Sequence, residues 1–152
     1  MFTEDLKNAQ KIESEFAEKL AAKGWTTSST NDLREFGGYD LIATKGTMKY
    51  TFEIKHDLMA PKTGNVAVEL NKTNTYTMMV EPSGLSVTTA DYQVYKIRDS
   101  FYSISTSKLK KVIEDLKEKD VLKVVRGGDR NSVSMALVNL KFTFLPNSKE
   151  VK

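Results

Sequence analysis

Three acids and a lysine fall on this chain in an order that suits one chemistry: Glu13, Asp40 and the triplet Glu53-Ile54-Lys55. Two carboxylates and a backbone carbonyl form a hard oxygen set that suits Mg²⁺. A lysine beside them can meet the charge that develops when a phosphodiester is attacked. The triplet alone says little. At ordinary abundances an acid, any residue and a lysine recur about once in 150 residues by chance. This chain has four such triplets: Asp5-Leu6-Lys7, Glu53-Ile54-Lys55, Asp115-Leu116-Lys117 and Glu150-Val151-Lys152.

What separates the second is its setting. Asp5 and Asp115 lie in helical patterns, where i and i+2 point to different faces. Glu150 lies in a polar tail. Glu53 lies in the β-rich run Met48 to Lys55, with Phe52 and Ile54 on one face and Thr51, Glu53 and Lys55 on the other. Tyr39 to Ala43 also reads as a strand, and Thr44-Lys45-Gly46-Thr47 is a short turn between the two. Such a hairpin brings Asp40 beside Glu53. Neighbouring carboxylates repel unless a cation or a proton lies between them. Mg²⁺ fits that geometry, and the Ile54 carbonyl is a candidate additional ligand.

The spacing predicts a helix over Thr3 to Lys23, with Leu6, Ala9, Phe16, Ala17 and Leu20 forming its apolar stripe. Glu13 falls within that stripe, whereas Glu15 and Glu18 are expected to point outward. A carboxylate on the core-facing side needs a partner or a site to serve. A Glu at the stripe's margin, reaching water or a lysine, is the blander alternative.

Taken in order, Glu13, the helix-closing Gly24-Trp25, Gly38-Tyr39-Asp40 and Glu53-Ile54-Lys55 resemble the core of the PD-(D/E)XK nuclease superfamily. The helix Ala9 to Phe16 followed by a Gly-aromatic pair is similar to the first helix of archaeal Holliday-junction resolvases, whose catalytic Glu corresponds to Glu13. Later segments, Gly64 to Glu69, Pro82 to Leu85, Ala90-Asp91-Tyr92 and Gly127-Gly128-Asp129, resemble phage-encoded endonucleases. The core resemblance covers about residues 7–70, and the weaker match extends towards Leu140. Gly38-Tyr39 stands where the family name has Pro.

The resemblance implies an α/β, restriction-endonuclease-like fold with a central mixed sheet flanked by helices. It implies a metal-dependent endonuclease that hydrolyses DNA, with Glu13, Asp40, Glu53 and Lys55 as its catalytic residues. Asp40, Glu53 and the Ile54 carbonyl would hold Mg²⁺, or Mn²⁺ in its place. Glu13 would bind a metal-bound water or a second ion. Glu69, on the run Asn65 to Leu70 and opposite Val66, Val68 and Leu70, either approaches the same cavity or is an ordinary exposed-face acid. A nuclease fold that binds nucleic acid without cutting it is the alternative. An unrelated α/β interaction module is a third reading.

Composition bounds these expectations. The 152 residues predict one domain, residues 1–146, with residues 147–152 as a frayed tail. A hydrophobic content of 39% excludes wholesale disorder. No cysteine and one histidine exclude thiolate and His-rich zinc sites. The opening Met1 to Asp5 has no basic n-region or apolar run, so no signal peptide is expected. Nor does any run approach a membrane span. The expected location is the cytoplasm, that of a host if the chain is phage-encoded.

Net charge is only +3, so local cation placement matters more than the sum. Candidate phosphate contacts near the triplet are Lys45, Lys49, His56, Lys62 and Lys72. A second group is Lys108, Lys110, Lys111, Lys123, Arg126 and Arg130. For each, a solvated surface cation is the simpler reading. Strand alternation puts His56 opposite Lys55. DNA is the expected partner, RNA stays open, and a homodimer would let two sites cut two strands.

The remaining chain predicts an irregular Asn31 to Phe36, a loop from His56 to Asn65 and a short helical turn at Thr88 to Asp91. Strands follow at Tyr92 to Ile97 and Phe101 to Ile104, then an amphipathic helix with Leu109, Val112, Ile113 and Leu116, capped by Ser105 or Thr106. Val121 to Arg126 and Ser132 to Phe144 flank Gly127-Gly128-Asp129-Arg130, a hairpin signal.

Overall fold

A computed structural model describes residues 2–30 and 38–152. The segment expected to be irregular, residues 31–36, lies outside the described residues, as does Gly37.

Helix α1 (Phe2–Ala21) buries Ile12, Phe16 and Leu20, one residue per helical turn, whereas Leu6 is half exposed. Ile12 is thus a core position that the sequence reading left out of the stripe. Gly24, at φ 92°, takes the left-handed conformation that ends the helix, and Trp25 donates back to the Leu20 carbonyl at 3.1 Å. The chain then enters a six-stranded mixed sheet made of β1 (Thr26–Ser29), β2 (Leu41–Lys45), β3 (Met48–His56), β6 (Tyr92–Ile97), β7 (Ser100–Ser105) and β10 (Lys149–Val151), in that spatial order. The β3–β6 pair is parallel, and every other pairing in this sheet is antiparallel.

Between β3 and β6 the chain builds part of a second sheet. Helix α2 (Ala60–Thr63) leads to β4 (Asn65–Thr73) and β5 (Val80–Pro82), and β8 (Lys123–Gly127) and β9 (Val133–Asn139) complete the order β5-β4-β9-β8, all antiparallel. Helix α3 (Thr106–Glu118) starts at Ser105, whose hydroxyl accepts from the Lys108 N–H at 3.2 Å. A short α4 (Leu145–Asn147) precedes β10.

Two cores follow from strand alternation. On one face of the mixed sheet Leu41, Ala43, Phe52, Ile54, Val94 and Phe101 pack with α1, and the Phe16 ring lies 5.3 Å from Phe52 and 5.4 Å from Phe101. On the other face Tyr95, Ile97 and Ile104 pack with Leu109 and Ile113 of α3 and with Val66, Val68, Ala136 and Val138 of the second sheet. The mixed α/β class with a flanked central mixed sheet therefore holds, with a second sheet added.

Several local expectations change. Lys149–Val151, in the expected frayed tail, instead covers the edge of β7. Thr88 to Asp91 forms no helical turn, because the Asp91 carboxylate is engaged in accepting from the Thr51 N–H at 2.8 Å and the Thr51 hydroxyl at 3.1 Å. The run from Ser132 stops being a strand at Asn139, whose side chain caps the Phe142 N–H at 2.8 Å and opens a π-helical turn, Leu140–Phe144.

Glu15 does not point outward. It accepts from the Lys96 ammonium at 2.8 Å, between α1 and β6. That hydrogen bond, helped by the lysine's charge and opposed by burial, holds the Glu15 carboxyl below its usual value of 4.5. With a depressed folded value, the stabilisation is fully present above 4.5 and is lost as pH falls through the depressed value. Glu15→Gln should therefore flatten the acid limb of a melting-temperature profile and leave its lowest-pH end nearly unchanged.

Candidate active site

The β2–β3 hairpin is the local device that sets the acids side by side. Its turn is two residues, Gly46-Thr47, with Gly46 at φ 59° and Lys45 paired with Met48. From there the register runs to Leu41 opposite Phe52, where the ladder ends. The Asp40 N–H still donates to the Phe52 carbonyl at 2.8 Å, which holds Asp40 at the end of the hairpin. Because Phe52 and Ile54 face α1, the pleat turns Glu53 and Lys55 to the opposite face.

Asp40 is fixed as well as placed. Its Oδ2 accepts from the Ile54 N–H at 2.8 Å. Burial first lifts the Asp40 carboxyl above the usual range, and the Glu53 charge lifts it further. The Ile54 hydrogen bond and the Lys55 charge oppose both. The Glu53 side chain is 15% exposed, and among the described residues its Oε2 is buried with no hydrogen-bond partner. Its Oε1 lies 3.6 Å from the Lys55 ammonium, which is 51% exposed. The structure thus sets Glu53 and Lys55 on one face, with Asp40 near enough to feel both charges.

A cavity of about 380 Å³ opens on that face. Glu53, Lys55, Gln93 and Tyr95 line it from the mixed sheet, and Glu69 and Met135 line it from the second sheet. Glu69 therefore does approach the acids. It is also pinned from behind: Gly84, at φ 55°, lies so close to the Glu69 backbone that a Cβ there would collide with it. Gly84→Ala is expected to cost about 1–3 kcal/mol from the left-handed backbone alone, with β4 displaced, readable as a drop in urea midpoint.

Other sequence-predicted residues are placed differently. Glu13 is half-buried on α1, next to buried Ile12, and α1 packs on β1, β2 and β3. It is not in the cavity lining, and α1 covers the face opposite Glu53. His56 pairs with Lys96 in the parallel register and turns towards the Lys96–Glu15 side, as alternation requires. Burial, then the Lys96 charge, hold its imidazole below the usual value, so it is neutral at pH 7, and among the described residues its buried Nδ1 has no partner. His56 is also part of the cavity lining, partly buried. Lys49, Lys62, Lys72, Arg126 and Arg130 are all exposed, and Arg126 donates to the Thr73 hydroxyl at 2.7 Å. Lys45 is taken up locally, donating to the Lys23 carbonyl at 2.9 Å above the Trp25 ring.

Two features of the site escaped the sequence reading. Asp57 accepts from the Met59, Ala60 and Ala67 N–H groups and so ties the end of β3 to β4. Gln93 stands next to Glu53 on β6. The Asp57-x-x-Ala60 spacing before a Pro is the one signal that was available, a capping pattern for α2.

Among the described residues, no three His, Cys, Asp or Glu side chains converge as a ready-made ion cage. The donor set is smaller: two carboxylates and a strand carbonyl. It nevertheless fits a hard divalent cation. The Glu53 Oε2, unpartnered among the described residues, and the Asp40 carboxyl, raised by burial and further by its neighbour's charge, are both relieved by positive charge between them.

No helix among the described residues is long and apolar enough to cross a membrane. No family model matches the chain, and no curated protein matches it. Among solved structures it is similar to a bacterial homing endonuclease, I-Ssp6803I, with a TM-score of 0.52 over 90% of this chain and 77% of that one. Sequence identity is 18%, so the likeness is one of fold: this chain has an architecture that a nuclease also uses.

Proposed function

We propose that this chain is a divalent-cation-dependent endonuclease that hydrolyses DNA phosphodiester bonds with a PD-(D/E)XK-type site. The observation that carries this is the hairpin geometry: Asp40 fixed at the hairpin's end by the Ile54 N–H, within reach of the Glu53 and Lys55 charges, and Lys55 at 3.6 Å from Glu53 on the same face. The fold it shares with a homing endonuclease supports the same reading.

In this reading Asp40, Glu53 and the Ile54 carbonyl hold Mg²⁺ or Mn²⁺. When bound, the ion lowers the pKa of a water and neutralises charge on the pentacoordinate phosphorus. Lys55 orients the attacking water and donates to a non-bridging phosphate oxygen. The water oxygen bonds to phosphorus as it gives a proton to solvent, the bond to the leaving sugar oxygen breaks, and that oxygen takes a proton from solvent to leave as a hydroxyl. Glu13, on the α1 side of the sheet, takes no part at this face, and Glu69 faces the substrate from the far wall. Lys49, Lys62, Lys72, Arg126 and Arg130 contact backbone phosphates and give the salt-dependent part of affinity. Neutral His56 packs rather than pairs with phosphate. Cutting both strands of a duplex needs two such sites and hence a second copy.

The test is cleavage of labelled plasmid, linear, single-stranded and branched DNA in Mg²⁺, Mn²⁺ or EDTA. Products that appear with either metal, stop with EDTA and vanish in Glu53→Ala and Lys55→Ala support the reading. Salt-sensitive binding without products under any condition would make the chain a catalytically inert nuclease-fold binder instead.

A further inference from the structure

Gln93 is a polar side chain only 3% exposed. In the parallel β3–β6 pairing its partner is Glu53, so the two leave the sheet on one face, and both line the cavity. Proton accounting fixes which way its amide is turned. The Thr106 hydroxyl gives its single proton to the Ala90 carbonyl at 2.6 Å, and the Thr88 hydroxyl gives its own to the Gly38 carbonyl at 3.2 Å. Both hydroxyl oxygens can then only accept. They accept from Gln93 Nε2, at 3.1 Å for Thr106 and 3.4 Å for Thr88. With the NH₂ directed at the two threonines, the carbonyl oxygen Oε1 is aimed away from them. Among the described residues no donor is bonded to it.

The titratable wall groups are Glu53, Lys55, His56, Asp57, Glu69 and Tyr95. The carboxylates among them offer an acceptor nothing, and the Lys55 ammonium is directed at Glu53, 3.6 Å away. An acceptor there gains from a cation, or from the water on one. We infer that Gln93 supplies, through Oε1, a neutral oxygen to the divalent-cation site of Asp40 and Glu53, with Thr88 and Thr106 as the residues that aim it. A neutral ligand adds coordination without a third repelling charge beside a carboxyl pair that is already strained. It also ties the site to the first turn of α3, where Thr106 sits. The inference rests on the cation-dependent reading of the site.

The experiment is Mn²⁺ binding, followed by the loss of the free-ion paramagnetic resonance signal, with thermal melting recorded on each protein. Wild type is expected to bind. Gln93→Met keeps the side chain's length and removes the oxygen, and should bind about tenfold more weakly while still melting cooperatively. Thr106→Val leaves every site oxygen in place but frees the amide to turn, and should weaken binding by a smaller factor. Equal affinity in wild type and Gln93→Met overturns this inference and leaves the nuclease reading intact. Wild type that binds no Mn²⁺ overturns the nuclease reading itself. If Gln93→Met does not fold, Thr106→Val decides, since wild-type affinity there overturns the inference.

Discussion

Glu53→Gln is expected to abolish metal-dependent cleavage, with a rate loss on the order of 10³-fold or more, and to leave the fold as stable as before or more so. The two halves of that expectation have one origin. Burial raises Asp40 first and the Glu53 charge raises it further, and among the described residues the Glu53 Oε2 is buried without a partner. A carboxyl whose folded value is raised holds its proton more tightly in the native state. Its contribution therefore turns against stability as pH rises from the ordinary carboxylate value, 3.8 here, through the raised one. Removing the Glu53 charge eases the charge-repulsion part of that penalty at neutral pH and leaves the burial part. A metal-free melt at pH 7 should place Glu53→Gln level with or above wild type, and the gap should shrink on acidification. A clearly lower melting temperature would mean that Glu53 holds the scaffold together and does not burden it.

Lys55→Ala should behave in the opposite sense. Its turnover should fall by roughly 10²–10³, with Mn²⁺ affinity and KM for DNA near wild type. Lys55 is half in water and its contact with Glu53 is long at 3.6 Å, so the pair contributes little to stability. A stability change within about ±0.5 kcal/mol is expected. Lys55→Arg should recover only part of the rate, because a planar guanidinium does not reproduce the position of a point charge. A Lys55→Ala protein that lost DNA affinity instead of turnover would move Lys55 from the chemistry to substrate binding. Together the two variants separate holding the ion from meeting the phosphate.

Much of the acid–lysine pairing was legible because hairpins are local. A two-residue turn and a period-2 pattern suffice to bring Asp40 to Glu53 and Lys55 to the same face. The first helix was legible in extent but less so in facing. Its stripe was read from Leu6 and Ala9, whereas the sheet beneath it begins to bury the helix at Ile12. Glu15 was misplaced for a related reason: its partner Lys96 lies on β6, and no local pattern reports a contact across that separation. The second sheet was invisible as a unit. β4 reads as a strand, but its neighbours β5 and β9 come from either side of the β6–β7 hairpin and α3. Gln93 carries no motif. Its importance comes from two threonines and a strand partner that only the fold brings to it.

The parallel pairing of β3 with β6 also bears on how fast the molecule assembles. A parallel neighbour must be fetched across residues 57–91, and within that stretch β4 commits to a sheet that is incomplete until β9 arrives. Loop-closure entropy must be met before either pairing rewards it. Folding should therefore be slow for a chain of this size, in the millisecond-to-second range typical of non-local β topologies. During that time the β2–β3 hairpin waits with the outer edge of β3 unpaired, so refolding yield should fall as protein concentration rises.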